Sequence, residues 1–477
     1  MKLKKRWVLA AALLLTLGMS LPGYALPYLP GFTFLEVPDP LSGDNLRYPL
    51  LPRVAPLPGE SFFDLRFGTV LTRTVQGNPL IHEYSKFDPF NRDQSMVILH
   101  TGDQNWRLYH TTPLPYDQSG NLVSTDLGLQ ELRWDPQDPK LLWALDGENF
   151  SIVTLKPETG VRTVIKNFRT DPLLGPIINA DPGLWRLTTR EEGEASMDLR
   201  YWGLLLQGGD AYEYRNVSVF CYDRVANQVL GYYRFTPAQG EAVDWAGMSP
   251  KGTWVVLAGD VLHGQEGGLT IADKEFKKFY LIGQNIGHND STLDSRGREV
   301  MVAQNGGTDY VDLIPLDPNT RPVPTPGDYP GSGVTRLLRL YYDDTSPLGL
   351  KSGIHVSCNY PGFAVISPYI APGLPEQNWL DHTLTLVRLD PAHPRAFYLA
   401  KVYNLTGEFP DGRNYWEETH GAITRDGARI VWSDNWGAPG PDLAHNQGFL
   451  VQLDLPPNWQ YRITGVSLPA VESLLLD

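Results

Sequence analysis

The sequence predicts an all-β protein, a seven-bladed β-propeller, and three observations support this prediction. First, the 477 residues include 46 glycines, 40 prolines, 13 tryptophans and 23 tyrosines, a composition typical of many short strands joined by tight turns. Second, one turn-and-strand phrase recurs along the chain. Third, no segment beyond the N-terminal leader keeps its apolar residues at a 3.6-residue period, so no helix of ordinary length is expected.

The recurring phrase is a polar turn containing Asp, Gly or Pro, followed by a run of β-branched and aromatic residues. The copies start at Asn91, Asp135, Ser249, Asp294 and Thr424. Their spacings are 44, 45 and 130 residues, the last equal to two longer units. Periods of this length indicate stacked or radial repeats. A second strand ending in Asp or Lys follows each copy, as in YVDLIPLDPN, which is typical of the outer hairpin of a four-stranded blade.

Counting these units divides residues 82–466 into seven blades. Their predicted extents are 82–125, 126–170, 185–240, 241–283, 284–345, 350–405 and 415–466. Residues 26–81 form an extended, Pro-rich lead-in, in which FGTVLTRTV (67–75) is a candidate strand for closing the ring against the last blade. Residues 467–477 form a C-terminal tail. Two separate β-sandwich domains are the alternative, disfavoured because no Ser/Gly-rich linker divides the chain.

Residues 1–25 are predicted to be a signal peptide. Four basic residues precede an apolar run over 7–19, too short for a membrane span of roughly 20 residues, and small residues at Gly23 and Ala25 fit a cleavage site. An uncleaved anchor is the alternative. No later segment is long and apolar enough to cross a membrane, so the mature chain is expected to be secreted or periplasmic, without a membrane span.

The formal net charge of -14 disfavours a nucleic-acid partner, because such proteins attract their partner with surplus Lys and Arg. An extracellular glycan or protein ligand is expected instead, bound by a monomer. The two cysteines, Cys221 and Cys358, could pair in an oxidising compartment. A chain of this length does not need a disulfide to hold its core, however, so two buried thiols are favoured.

Three histidines share one position in the repeat. His288, His355 and His420 lie seven to nine residues before the turn glycine of their units. The innermost strands of a propeller line its central channel, so equivalent positions in different blades converge on the axis. These histidines are therefore candidate ligands of a divalent metal whose identity the sequence does not specify. Glu131 and Asp244 occupy comparable places in earlier blades.

Two other roles for the three histidines stay open. They could be structural locks that hydrogen-bond to a neighbouring blade, with Asp290 or Asp294 as a partner. They could also be acid/base groups that act without a metal. His82 and Tyr84, which precede the first blade, are further candidates for the channel wall.

The phrases SPKG, DSRG and TRDG, each followed by a V/I/W-rich run, resemble the WD40-like repeats of bacterial secreted propellers, including the seven-bladed oligogalacturonate lyases. The resemblance covers most of residues 82–466. It implies a histidine metal cluster near the channel, a histidine base and an arginine that meets the substrate carboxylate. In this sequence it points to His420 as a catalytic residue, with Arg425 or Arg133 as the arginine. The implied reaction is removal of the proton next to a uronate carboxyl, followed by β-elimination. The closely spaced ligand histidines of that family have no counterpart here.

Aromatic residues at blade starts are candidate substrate-binding groups, because sugar rings pack their C–H faces on aromatic rings. They are Trp134, Trp245, Tyr360, Trp416 and Trp436. Packing between blades is the competing role. Two functions remain: a secreted propeller that binds or acts on an extracellular polysaccharide fragment, with a metal-dependent uronate lyase as its enzymatic form, or a non-catalytic propeller that binds a glycan or protein partner in the cell envelope.

Overall fold

The structure is a computed structural model that describes most of the chain. The described ranges are 34–42, 48–64, 66–77, 79–101, 106–125, 127–208, 214–340, 353–369, 379–409, 412–442, 445 and 447–464. The predicted signal peptide (1–25) and C-terminal tail (467–477) lie outside the described residues.

Seven antiparallel sheets surround a central axis, which confirms the predicted seven-bladed propeller. In the part of the chain that the structure describes, three strands precede the first blade: β1 (Leu35–Glu36), β2 (Ser61–Asp64) and β3 (Thr69–Arg73). Blades one to three contain β4 (Met96–His100), β5 (Trp106–His110) and β6 (Leu122–Ser124); β7 (Gln130–Trp134), β8 (Leu142–Asp146), β9 (Ser151–Lys156) and β10 (Val161–Asn167); and β11 (Leu184–Thr188), β12 (Tyr201–Gly208), β13 (Arg215–Asp223) and β14 (Gln228–Arg234).

The remaining blades follow in chain order. Blades four and five contain β15 (Ala246–Met248), β16 (Val255–Asp260), β17 (Gln265–Ala272) and β18 (Phe279–Gly283); and β19 (Ile286–Leu293), β20 (Glu299–Asn305), β21 (Tyr310–Pro315) and β22 (Thr335–Arg339). Blade six contains β23 (Gly353–Ser357), β24 (Phe363–Tyr369), β25 (Thr383–Arg388) and β26 (Arg395–Lys401). A small hairpin, β27 (Glu408–Phe409) and β28 (Gly412–Arg413), leads to blade seven, with β29 (Ala422–Ile423), β30 (Arg429–Asp434) and β31 (Phe449–Asp454).

Helices in the described part of the chain are short. They are α1 (Leu174–Ala180), α2 (Pro237–Ala242) and α3 (Trp459–Thr464), with single 3-10 turns at Ser119–Asn121, Phe168–Thr170, Pro326–Asp328 and Tyr415–Glu417. Within the described ranges, no helix has the length and apolar character needed to cross a membrane.

The blades pack face to face, so their central strands are buried on both sides. All six residues of β16 (VVLAGD) are buried, which explains why such strands are nearly continuous apolar runs rather than alternating ones. Both cysteines are free and buried in these packing layers. Cys221 lies in the core between blades three and four, and Cys358 lies in the core between blades five and six.

Residues from the lead-in complete the last two blades. β3 pairs antiparallel with β31, with Leu71 opposite Leu453, and β2 then pairs with β3 as the outermost strand of blade seven. β1 adds a fifth strand to blade six by pairing with β26. The ring is therefore held closed by hydrogen bonds between the N-terminal and C-terminal parts of the propeller.

Blade one departs from the regular pattern at its innermost strand. That strand is reduced to two bridges, Ile81 with His100 and Phe90 with Val97. Residues 82–89, between the bridges, lie outside any ladder. This segment, termed here the inner segment of blade one, carries polar side chains into the channel.

Removing a buried side chain from the closing strand β3 should destabilise the whole propeller. Leu71 is 2% exposed in the core shared by the last blades and blade one, so Leu71→Ala is expected to lower the free energy of unfolding by about 2–5 kcal/mol. The same substitution at Leu57, which is 71% exposed, should change it by less than about 0.5 kcal/mol. Denaturant unfolding measures both changes. Equal changes in the free energy of unfolding would show that the packing of β3 does not stabilise the closed ring.

Candidate metal centre in the central channel

The three blade-entry histidines meet in the channel. His288 and His355 are each the third residue of an inner strand, β19 and β23, and His420 lies two residues before β29. The ring centroids of His288 and His355 are 4.4 Å apart, and those of His355 and His420 are 4.1 Å apart in a stacked arrangement. Residues at the same phase of blades five, six and seven therefore come together although 65 or more residues separate them.

Glu418 joins this cluster, and the sequence analysis missed it. Its Oε2 lies 2.6 Å from Nε2 of His355 and 3.9 Å from Nε2 of His420. Among the described residues, His355, Glu418 and His420 each offer a ligand atom, and these atoms all lie within 4.8 Å of one another. The sequence feature that could have identified Glu418 is its Glu-x-His spacing from His420, because side chains two residues apart in an extended segment point to the same side.

The hydrogen bonds of His420 define its tautomer. Its Nε2 lies 3.0 Å from the carbonyl oxygen of Tyr415, which can only accept, so Nε2 carries the hydrogen and Nδ1 keeps a lone pair. No described group hydrogen-bonds to that buried Nδ1. Burial, followed by repulsion from His355, lowers the pKa of His420 well below 6.5. His420 therefore presents a neutral imidazole with an unshared lone pair.

His82 fixes the backbone of the same residue. Its Nε2 donates to the carbonyl oxygen of His420 at 2.5 Å, and burial lowers the pKa of His82 to about 4. This bond joins the inner segment of blade one to the entry of blade seven.

His288 is held between two tyrosine hydroxyls. Its Nδ1 lies 3.1 Å from the Tyr84 hydroxyl and its Nε2 lies 3.4 Å from the Tyr369 hydroxyl. Tyr84 comes from blade one and His288 from blade five, so the contact crosses the axis. The Tyr84 ring also packs edge-on against His355 and His420, at 5.3 and 5.2 Å. Tyr84 therefore touches all three histidines.

Asp290, a candidate partner of the blade-entry histidines, accepts hydrogen bonds from backbone amides. Its carboxylate oxygens lie 2.8 Å from the amide of Ser291 and 2.6 Å from the amide of Cys358. Asp294, the other candidate, pairs with Arg298 at 2.8 Å. Both carboxylates serve the blade framework in this arrangement.

Blades one to four line the other side of the channel with ion pairs. The pairs are Glu83–Arg133 at 3.0 Å, Lys86–Glu192 at 2.8 Å, Arg186–Glu191 at 3.6 Å and Arg190–Asp244 at 3.9 Å. The Glu191 and Asp244 side chains are 56% and 66% exposed, yet desolvation raises the pKa of both. Both residues border inner strands, β11 and β15, so this exposed surface faces the central channel.

Arg425 lies at the far end of the channel from the histidines. It follows β29, whereas His420 precedes it. Its guanidinium contacts the Trp134 carbonyl at 3.0 Å in blade two and Glu194 at 3.4 Å in blade three. Arg133, the other candidate arginine, is buried, pairs with Glu83 at 3.0 Å and lies over the Phe87 ring at 3.1 Å.

The five candidate aromatic residues have different surroundings. Trp134 is 2% exposed and donates to the carbonyl of Pro89, and Tyr360 packs on Phe363 and Trp459 in the core. Trp245 is 4% exposed and lies 4.2 Å from the Lys86 amine. Trp436 is partly exposed and stacks on Tyr403 at 4.2 Å. Trp416 is partly exposed and lies next to the histidine cluster, connected to it through Tyr415.

Comparison with known proteins supports the fold. No protein-family model and no curated protein matches the sequence. Among solved structures, the chain is similar to an oligogalacturonate lyase in complex with manganese, with a TM-score of 0.53 at 12% identity over 85% of this chain and 98% of that one. A second similar structure is an oligogalacturonate lyase from Vibrio parahaemolyticus, with a TM-score of 0.49 at 11% identity over 84% and 97% of the two chains. The protein is thus a seven-bladed propeller with weak similarity to oligogalacturonate lyases.

The ion-pair wall should make stability depend on pH. Burial raises the pKa of Glu83 from 4.5 to about 7, although Arg133 opposes this. Between these values the unfolded chain releases a proton that the folded protein keeps, so stability should fall as pH rises from 5 to 7. Glu83→Gln should flatten this slope by up to about 1.4 kcal/mol per pH unit. Unfolding free energies measured at several pH values test this, with exposed Glu158→Gln as the control, and a slope unchanged in Glu83→Gln would refute it.

Proposed function

We propose that the protein is a metal-dependent lyase that acts on a uronate oligosaccharide in this channel, outside the cytoplasm. The observation that carries the proposal is the donor set formed by His355, Glu418 and His420 within 4.8 Å. The extracytoplasmic location rests on the predicted signal peptide at residues 1–25.

The residues present fit a divalent cation. Two imidazoles and one carboxylate are a frequent protein ligand set of catalytic metals, which keep a further position for substrate or water. The unshared lone pair on Nδ1 of His420 is a suitable donor, and its Nε2–H bond to a carbonyl is the support that ligating histidines usually receive. Nε2 of His355 and Oε2 of Glu418 are within hydrogen-bond distance at 2.6 Å, and a cation bound here would replace the proton of that bond. Manganese, present in a structure with the same fold, accepts such imidazole and carboxylate ligands.

When bound, a divalent metal would withdraw electrons from the substrate carboxylate and so acidify the adjacent C–H. His288 is the candidate proton acceptor, because it borders the donor set without belonging to it. Neutral His288 accepts a hydrogen bond at its unprotonated nitrogen from one of the two tyrosine hydroxyls, so the substrate proton would pass to that hydroxyl as the hydroxyl gives its own proton to the ring. The C–H electron pair becomes a C=C bond, the β C–O bond breaks, and the leaving oxygen takes a proton from water, to which His288 later returns its own proton.

The ion pairs of blades one to four support a substrate that carries both charge and hydroxyls. Arg133 and Arg190 lie on this side of the channel, each paired with a carboxylate. Charged groups form the stronger hydrogen bonds, so this side could orient a polar ligand opposite the histidines.

A non-catalytic propeller that binds a glycan or protein partner is the second candidate. It is favoured by the hydrogen bonds from His355 to Glu418 and from His82 to the His420 backbone. These bonds join blades one, six and seven and would stabilise the ring without a metal. A binding propeller needs neither a bound ion nor a proton acceptor.

Metal analysis separates the two candidates. After equilibration with Mn²⁺ and removal of free ion, the wild-type protein should retain about one ion per chain. His355→Ala, Glu418→Ala and His420→Ala should each lose it, whereas His288→Ala and the exposed control His263→Ala should retain it. An ion-free wild-type protein, or retention in all variants, would support the structural role instead.

Activity on oligogalacturonate tests the chemistry. The Mn²⁺-loaded wild-type protein should form unsaturated uronate products, detected by their ultraviolet absorbance, and a chelator should abolish their formation. His288→Ala should lower kcat by about 10²–10⁴-fold while the metal content stays unchanged, as expected for the loss of a general base. Undiminished turnover in His288→Ala would assign the base elsewhere.

A further inference from the structure

A row of aromatic rings leads away from the histidine cluster. Tyr415 lies 4.7 Å from His420, Trp416 lies 5.1 Å from Tyr415, His100 lies 4.5 Å from Trp416, and Trp106 lies 5.3 Å from His100, all between ring centroids. We call Tyr415, Trp416 and Trp106, with His100 between them, the aromatic row. Every step is a direct ring contact, so the row is continuous from the candidate metal centre outward.

The row runs along the face of the disc where the inner strands begin. Tyr415 and Trp416 belong to the 3-10 turn that precedes β29. His100 ends β4 and Trp106 begins β5, so both lie at the hairpin between these strands. His100 pairs with Ile81, at the entry of the inner segment of blade one. Because β4 and β5 are successively farther from the axis, the row extends radially across blade one.

The row has a solvent-accessible side. Tyr415 is 40% exposed, and Trp416 and Trp106 are partly exposed, whereas His100 is buried. Aromatic residues that only fill a blade core are covered, as Trp134 is at 2% exposure. Exposed rings beside a recessed polar site are the arrangement in which the C–H faces of sugars pack on aromatic faces while their hydroxyls meet polar groups.

We propose that the aromatic row binds the successive pyranose rings of an oligosaccharide whose terminal unit lies at the histidine cluster. The inference rests on the proposed function, and it adds the direction of the bound chain and the side chains that select its length. Tyr415 and Trp416 would contact the units nearest the cluster, and Trp106 a more distant unit. Short saccharides that end before Trp106 would gain nothing from that ring.

Binding titrations with two chain lengths test the row. Digalacturonate and tetragalacturonate are titrated calorimetrically into Mn²⁺-loaded protein in the His288→Ala background, in which turnover should be about 10²–10⁴-fold slower. Tetragalacturonate should bind more tightly than digalacturonate. Trp106→Ala should lower the affinity for tetragalacturonate by about tenfold and leave the affinity for digalacturonate unchanged. Trp416→Ala should lower the affinity for both saccharides.

The matched control is Trp254→Ala. Trp254 is also partly exposed, but it follows the inner strand of blade four and so lies on the opposite face of the disc. Its substitution should change neither affinity. Trp106→Phe and Trp416→Phe keep an aromatic ring and should retain most of the affinity. They control for a loss of affinity that is caused by misfolding.

The outcomes distinguish the two proposals. Equal affinities in Trp106→Ala, Trp416→Ala and the control would overturn the aromatic row, as would the absence of binding by either saccharide, whatever the metal content. Row-dependent binding by a protein that retains no Mn²⁺ would support the row and overturn the metal-dependent lyase.

Discussion

The pairing of β3 with β31 is the constraint on which the rest of the molecule depends. It completes blade seven from two distant parts of the chain and leaves β31 no free edge on that side. It also brings blade seven beside blade one. The His82 bond to the His420 backbone and the Trp416 contact with His100 both cross this seam. Ring closure and the geometry of the candidate site are therefore coupled.

The channel has two chemically different halves. Blades five to seven contribute imidazoles, and burial, followed by repulsion from His355, lowers the pKa of His420 so that this imidazole is neutral. Neutral imidazoles offer lone pairs to a cation. Blades one to four contribute charged side chains in ion pairs, such as Lys86 with Glu192 at 2.8 Å. A ligand between the halves would meet donors for a cation on one side and oriented charges on the other.

Periodic features of the fold and site could be predicted, and irregular ones could not. His288, His355 and His420 were predicted to converge because they share a phase of the repeat. The part played by Glu83 and Lys86 was not predicted, because the inner segment of blade one leaves its sheet and follows no period. Arg425 is close to His420 in sequence, but the short strand between them puts it at the opposite end of the channel. Trp134 and Tyr360 are residue types that often bind sugars, but the structure buries both in the core.

The sequence by itself determined the blades and their number, because a turn followed by an apolar strand is a local signal that each repeat carries independently. Only the tertiary structure decided which side chains meet. When the blades close into a ring, residues at equivalent positions of neighbouring blades come into contact, and His288 therefore lies against His355. The contact of Tyr84 with all three histidines depends instead on packing across the axis, where residues more than 200 positions apart approach each other. No local pattern encodes that approach, since it follows from how the irregular segment fills the channel.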